Sequence, residues 1–229
     1  MLLDILRSDN IDITLVIVSV LSSLAVIFLT LPVHEYAHAF AANKLGDRTA
    51  DYMGRKTLNP LAHIDYMGAA FILLFGIGWA KPVPVHSNNF KRPKLDMAIT
   101  AVAGPVANLV MAFIGFIFLN FCKCLPYFGV ESAILDYLFY FFLLFSQINV
   151  YLALFNLIPI PPLDGSRVLS AILPDRAYYK VMQFERYSFL FIAFIMFSNV
   201  LDKPLALLAD GIMRGFNYVA ALPFEMLIK

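Results

Sequence analysis

Two histidines and a glutamate at the end of a long apolar run have the spacing of a metal site. His34 and His38 are four residues apart, so on a helix both side chains project from one face and can share one metal ion. Glu35 follows the first histidine and points about 100° around the helix from it, near the metal but outside its ligand set. The pattern predicts zinc-dependent hydrolysis with Glu35 as the general base.

The helix that positions these residues is predicted to cross a membrane. Residues 13–31 carry no charge over 19 positions, about the length that a helix rising ~1.5 Å per residue needs to span ~30 Å of hydrocarbon. An ionised side chain at that depth costs ~2.5–3.5 kcal/mol on insertion scales, so a glutamate placed there points to a function. We therefore expect the hydrolytic site to lie within the bilayer.

Composition independently indicates an integral membrane protein. Of the 229 residues, 61% are hydrophobic and 14% are charged, whereas soluble domains carry roughly 25% charged residues. No polar linker divides the chain, so we expect one domain over residues 1–229, with the catalytic core at about 13–201. The net charge of +1 gives no indication of nucleic-acid binding, and no cleavage site for a signal peptide follows the first apolar run.

The distribution of charge orients the other apolar stretches. These stretches cover residues 61–80, 97–121, 133–158 and 189–201. Three basic segments, at 44–56, 81–94 and 167–186, are placed in the cytoplasm by the positive-inside rule. The sequence thus predicts an all-α polytopic membrane protein, a helical bundle of about four to six transmembrane helices with the amino terminus outside.

Two stretches do not fit a simple alternation. Residues 61–80 have equally basic flanks and follow Asn59-Pro60, which favours a re-entrant segment, although a full crossing stays open. The tail, residues 202–229, is apolar but interrupted by charges. It is expected to form an interfacial amphipathic helix, which we prefer, or a last transmembrane helix.

The two histidines leave a zinc site one ligand short, since a catalytic zinc ion takes three protein ligands and keeps one position open. Asp164 is the best candidate for the third ligand, because the topology puts it at the same membrane level as the histidines. Pro159, Pro161 and Pro162 must unwind the preceding helix, which can aim a carboxylate at a metal held elsewhere. The alternative is that Asp164 only caps the following helix, residues 165–173.

Several motifs together make the chain resemble the site-2 protease family of intramembrane zinc metalloproteases, especially its short bacterial members without a PDZ domain. The resemblance extends from His34 to about Ala171. The motifs are HEYAH at 34–38, AGP at 103–105, NLIPIPPLDG at 156–165, and the segments at 58–65 and 78–84. HExxH alone occurs often by chance, whereas its combination with a distal NxxPxxPLDG in a membrane chain is highly specific.

The resemblance implies the chemistry of the site and its setting. It implies one zinc ion per chain, bound by His34, His38 and Asp164, with Glu35 as general base. It also implies transmembrane or membrane-associated protein substrates and a bacterial source. The topology predicted from charge places the active site of this multi-pass membrane protein near the cytoplasmic side. By its place in the motif, Asn156 is expected to donate to the developing oxyanion or to hold the substrate backbone; a hydrogen bond between helices is the alternative.

A transmembrane substrate must leave its helical conformation before its peptide bonds can be attacked, and its freed backbone groups then need partners. Residues 78–85 are the candidate for a short edge strand that accepts the extended substrate by β-addition. The prolines in this stretch suit only an edge, because proline cannot donate to a sheet on both sides.

Other interpretations stay open from the residues alone. A transporter or ion pathway could use intramembrane His and Asp side chains, but the chain shows no paired halves and a glutamate within HExxH has no special use there. A membrane metalloprotease that acts on exposed, unfolded chains is a third class. His63 is expected to support a ligand histidine or to serve local capping, and Cys122 and Cys124 are interpreted as incidental thiols.

Overall fold

The protein is described here by a computed structural model that covers residues 12–174 and 201–228. Its helices are α1 (Ile13–Leu45), α2 (Thr49–Tyr52), α3 (Tyr66–Phe75), α4 (Pro93–Cys124), α5 (Ala133–Asn156), α6 (Asp164–Ile172) and α7 (Asp202–Ile228). Within the described residues, α1, α4 with the turn that follows it, α5 and α7 are long and apolar enough to cross a membrane. This confirms the predicted class of an all-α polytopic membrane protein. The apolar stretch predicted at 189–201 lies, apart from Leu201, outside the described residues.

Helix α1 continues through Pro32, which follows the uncharged run 13–31. Asp12 caps its start by accepting the backbone N–H of Thr14 at 2.8 Å. A π-helical turn, Val26–Thr30, then precedes Pro32. A proline inside a regular α-helix lacks a donor and clashes with the carbonyl four residues back, and a wider turn relieves both problems. The helix therefore carries on to the two histidines and ends at Gly46, whose φ of 117° suits a residue without a side chain.

The core of the bundle lies between α1, α5 and the short helix α3. Val26 and Leu31 on α1 pack with Ile148 and Leu152 on α5 and with the fully buried Ile72 on α3. Helices α4 and α5 also approach closely, as small residues at transmembrane interfaces allow. A Cβ atom on Gly115 of α4 would lie 2.2 Å from Ser146 Oγ of α5.

Residues 61–80 enter the bundle and return on the same side. Helix α3 has 10 residues, so it is roughly 15 Å long and covers about half of a ~30 Å hydrocarbon core. The backbone N–H of Lys81 donates to the carbonyl of His63 at 2.8 Å, which joins the two ends of the excursion. A Cβ atom on Gly68 would lie 2.0 Å from the carbonyl oxygen of Trp79, so the returning chain packs directly on α3. This is the geometry of the predicted re-entrant segment.

The segment after α3, residues 78–85, is referred to below as the edge segment. It lies outside helices and turns, and no residue in the described ranges is paired in a β-sheet. A strand is defined by its partner, so the predicted short edge strand is present only as a single unpaired segment.

Helix α7 packs lengthwise on the bundle. Ala209 shares a buried cluster with Ala112 of α4, and farther along Ala220 shares another with Leu119. Since both numbers rise together, α7 runs parallel to α4. This packing favours a last crossing over the interfacial position that the sequence led us to prefer.

Candidate metal centre

The three predicted ligands come together although two distant parts of the chain supply them. His34 and His38 project from one face of α1 and are both buried, and their Nε2 atoms are 3.0 Å apart. The Oδ2 atom of Asp164, at the start of α6, lies 3.4 Å from His34 Nε2 and 3.3 Å from His38 Nε2. One potential ligand atom from each residue therefore points to a common centre.

The turn between α5 and α6 delivers the carboxylate. Helix α5 ends at Asn156, and the proline-rich stretch that follows is not helical. The turn folds tightly onto the end of α5, because a Cβ atom on Gly165 would lie 2.2 Å from the carbonyl oxygen of Leu157. Leu163 occupies the cap position of α6 and makes no side-chain cap, whereas Asp164 is the first helical residue. The capping role considered for Asp164 is thus not what its side chain does.

Helix α4 orients both imidazole rings from behind. His34 Nδ1 lies 3.2 Å from Asn108 Oδ1, and His38 Nδ1 lies 2.7 Å from the carbonyl oxygen of Thr100. Both partners are acceptors, so we assign the ring hydrogens to Nδ1, which leaves the Nε2 lone pairs free to face Asp164. From the sequence, Asn108 is expected only to form a hydrogen bond in the core of the bundle, and neither it nor Thr100 is connected with the histidines. The available signal was a polar Asn108 one turn beyond Gly104 in an otherwise apolar helix.

Gly104 makes room for the site. A Cβ atom on this residue would lie 2.3 Å from His38 Nε2 and 2.6 Å from His34 Nε2. Any side chain there would therefore displace α4 or the imidazoles. This explains the glycine in the Ala103-Gly104-Pro105 step on structural grounds.

The donor set fits zinc. Two imidazoles and one carboxylate form one of the ligand sets of catalytic zinc, and tetrahedral bonds of about 2.0–2.1 Å put ligand atoms ~3.3–3.4 Å apart. The three observed separations are 3.0, 3.3 and 3.4 Å. Asp164 Oδ2 is also buried with no hydrogen-bond partner in the structure, as expected of an atom that binds a cation.

A cavity opens beside the ligands and contains the predicted base. Glu35 is only 5% exposed, and its Oε2 atom accepts the backbone N–H of Val83 at 2.8 Å. The cavity has a volume of about 200 Å³ and is bounded by α1, the edge segment, α4 and α6. Its lining residues include Glu35, His38, Val83, Val85, Asp164 and Arg167. A peptide in this space would contact both the metal position and the edge segment.

Four other residues considered from the sequence lie elsewhere. The side-chain amide of Asn156 donates to the carbonyl of Leu152 in its own helix at 3.0 Å, so its oxyanion role stays a prediction without support from this geometry. His63 Nε2 lies 2.8 Å from the carbonyl oxygen of Thr57, which is a local contact and not a contact with a ligand histidine. Cys122 and Cys124 are buried free thiols.

Comparisons with known proteins agree on one family. Residues 127–198 match the model of Peptidase family M50. The zinc metalloprotease YwhC of Bacillus subtilis, so named, is 40% identical over 200 residues, which cover 84% of this chain and 90% of that protein. Rip2 of Mycolicibacterium smegmatis is 27% identical over 76% of this chain and 66% of that protein. MJ0611 of Methanocaldococcus jannaschii is 31% identical over 59% of this chain and 62% of that protein. Both also carry the name zinc metalloprotease, and no solved structure matches the chain.

Proposed function

The chain belongs to Peptidase family M50, the site-2 protease family, and from that premise we propose that it cleaves proteins within the membrane with Glu35 as general base. As a member of this family it is a zinc metalloprotease. The observation that carries the finer proposal is the triangle of ligand atoms from His34, His38 and Asp164, with the Glu35 carboxylate in the adjoining cavity. Residues 12–174 and 201–228 contain one such triangle, which supports a stoichiometry of one zinc ion per chain.

The residues around the cavity account for the proposed hydrolysis. A zinc ion held by the three ligands would polarise the scissile carbonyl and lower the pKa of water from ~15.7 to about 7. Glu35 Oε2 is engaged by Val83, which leaves Oε1 to take the proton of the attacking water. The same carboxyl then delivers that proton to the leaving amine nitrogen. Burial of Glu35 in the bundle keeps bulk water away from this transfer.

The edge segment has one open side, which we propose accepts the substrate. The N–H of Val83 points to Glu35, whereas the carbonyl of Pro82 points the other way, to Arg55. Neighbouring residues of an extended chain face opposite sides, so Val83 and Val85 share the side next to the cavity. The backbone nitrogens of Pro82 and Pro84 fall on the rear side, where proline has no N–H to offer, although Pro82 itself also borders the cavity. An extended substrate would therefore pair along the Val83 side, between the edge segment and the metal ligands.

The side of the membrane on which the active site lies follows from the position of the ligands on α1 and from the distribution of basic residues. The ligands lie near the end of α1 that precedes the basic segment 44–56, and a second basic segment, 81–94, includes the end of the edge segment. The positive-inside rule assigns that end to the cytoplasm. We therefore propose a multi-pass bacterial membrane protein with its active site near the cytoplasmic side and with transmembrane or membrane-associated proteins as substrates.

Glu35→Gln tests the base. This variant keeps the metal ligands, so zinc content should stay at the wild-type level while cleavage of a single-span reporter in proteoliposomes falls ~10²–10⁴-fold, the range of general acid–base catalysis. His34→Ala is the matched control and should lose zinc and cleavage together. Full cleavage by Glu35→Gln would exclude the proposed base, and zinc flux across the vesicles that survives the substitution would favour a transporter.

Val85→Pro tests the substrate side of the edge segment. The substitution removes a cavity-facing N–H without touching the donor to Glu35, so cleavage should fall at least ~10-fold, the cost of about one lost hydrogen bond of ~1.4 kcal/mol. Zinc content should not change. Val85→Ala keeps the N–H and serves as the control. Wild-type cleavage by Val85→Pro would remove β-addition from the proposal, and a cleavage site mapped outside the bilayer would favour a protease of exposed chains.

A further inference from the structure

Arg55 binds the start of the edge segment through two successive carbonyls, of which that of Pro82 points away from Glu35. Its Nη2 atom donates to the carbonyl oxygen of Lys81 at 2.9 Å and to that of Pro82 at 3.2 Å. Arg55 itself lies in the loop between α2 and α3 and does not line the cavity. The guanidinium group is therefore a support for this backbone and not a group that meets a substrate.

Two further contacts hold the ends of the same segment. At its start, the carbonyl of His63 accepts the N–H of Lys81 at 2.8 Å. Just beyond its end, the buried carboxylate of Asp47 accepts the N–H of His86 at 2.7 Å. His63 and Arg55 thus fix the segment near its start, and Asp47 fixes the chain just beyond its end; all three residues stand outside the cavity.

This arrangement replaces the neighbouring strand that the edge segment lacks. An isolated strand is not stable in its position without partners, and an open rear side would also be free to pair with another chain. A charged donor forms shorter and stronger hydrogen bonds than a neutral one, so one guanidinium can secure two carbonyls. Binding groups must be held within about 0.5 Å of a productive geometry, and Val83 is the residue whose position relative to Glu35 depends on this support.

We propose that Arg55 is a positioning residue that holds the edge segment at the separation from Glu35 that admits a substrate strand. This inference rests on the proposed function, in which the edge segment binds substrate. It assigns a role to Arg55, a residue of the basic segment 44–56 that the catalytic chemistry does not otherwise use. Loss of Arg55 should weaken substrate binding and leave the metal ligands and the base intact.

Arg55→Ala and Arg55→Lys test this role in proteoliposomes that contain a single-span reporter. Arg55→Ala should raise KM at least ~10-fold, change kcat less than about twofold and leave zinc content unchanged, since the lost preorganisation affects binding. Arg55→Lys should give an intermediate KM, because an ammonium group is a single point donor. Lys56→Ala is the matched control: it removes the neighbouring charge, which pairs with Asp51 at 3.0 Å, and should keep the wild-type KM.

Hydrogen exchange separates this inference from the proposed function, because it needs no proteolysis. The amides of Lys81 and Val83 should exchange at least ~10-fold faster in Arg55→Ala than in wild type, while amides of α1 keep their rates. Unchanged exchange or an unchanged KM overturns the positioning role even if Glu35→Gln behaves as a base variant should. If Arg55→Ala loses zinc and its kcat falls together with a rise in KM, the residue is merely structural. That result also overturns the positioning role. If Arg55→Ala does not fold, the test uses Arg55→Lys. A KM and exchange rates equal to those of wild type in that variant would overturn the positioning role.

Discussion

At the scale of single residues, the site depends as much on the side chain that is missing as on those that are present. Gly104 lets α4 pass directly behind the two Nε2 atoms, and Asn108 and Thr100 on the same helix orient the rings. Partners of this kind usually matter to metal affinity nearly as much as the ligands themselves. The metal centre is therefore a property of α4 as well as of α1 and α6.

Gly104→Ala should lower zinc content at least ~10-fold, because overpacking at this position must move either α4 or the imidazoles. Metal analysis of the purified protein measures the effect. Gly211→Ala is a suitable control, since a Cβ atom on that residue would meet nothing within 4 Å. Full zinc content in Gly104→Ala would show that the helices adjust without cost.

The ligands and the base could be predicted from the sequence, because the chemistry demands particular residue types at particular spacings. His34, Glu35 and His38 share one helix, so their geometry follows from its period. The partner of Asn156 could not be predicted in this way, since an amide at a helix end can bond its own helix or reach across the bundle.

At the scale of elements, hydrogen bonds between loops fix the relative positions of the chain segments around the site. The end of α1 and the turn Ser87–Asn89 are joined through the Asp47 carboxylate, which accepts hydrogen bonds from Asn89 and from the backbone of His86. Burial alone would raise the pKa of this carboxyl. Hydrogen bonds from the side chains of Thr49 and Asn89 and from the backbone outweigh burial and hold the pKa below its ordinary value.

The sign of the pH dependence follows from that shift. An unfolded aspartate titrates near pH ~3.9, so the ionised Asp47 stabilises the fold above that pH, and this contribution is lost as the pH falls through the lower folded-state pKa. Asp47→Asn should lower the thermal unfolding midpoint at neutral pH and reduce the loss of stability below pH ~4. Unfolding curves between neutral and acidic pH measure both effects, with Asp136→Asn, at an exposed position, as control. Identical pH profiles for Asp47→Asn and wild type would contradict this account.

Charge parity favoured the re-entrant segment, because a single crossing would place its two equally basic flanks on opposite sides of the membrane. The π-helical turn before Pro32 was not predictable, since a proline at such a position can also end or kink a helix. The position of α7 was ambiguous for a related reason. Asp210 and Arg214 interrupt its apolar pattern, yet they face outward, one turn apart at 4.0 Å.

At the scale of the whole molecule, the metal site connects helices that the chain itself separates. Its ligands come from α1 and α6, and both helices pack against α4. Their outer faces expose large apolar side chains, such as Ile17 and Leu21 of α1, which a lipid environment would cover. Metal binding should therefore stabilise the assembled bundle and not only the site.

Removal of zinc by a chelator should lower the thermal unfolding midpoint of the wild-type protein in detergent. A ligand that binds only the folded state stabilises it by ~2.7 kcal/mol at a free concentration of 100 times its Kd. His34→Ala lacks one ligand, so its midpoint should already be low and should not respond to the chelator. An unchanged wild-type midpoint would indicate that the metal does not link the helices.

The separation of the ligands along the polypeptide also determines when activity can arise during biosynthesis. The ribosome makes His38 well before Asp164, 126 residues later by their numbers (164 − 38), and two imidazoles alone cannot complete the ligand set. A nascent or prematurely terminated product that lacks α6 is thus an inert membrane peptide. The protein can become proteolytically active only after the ribosome has added Asp164, the last ligand.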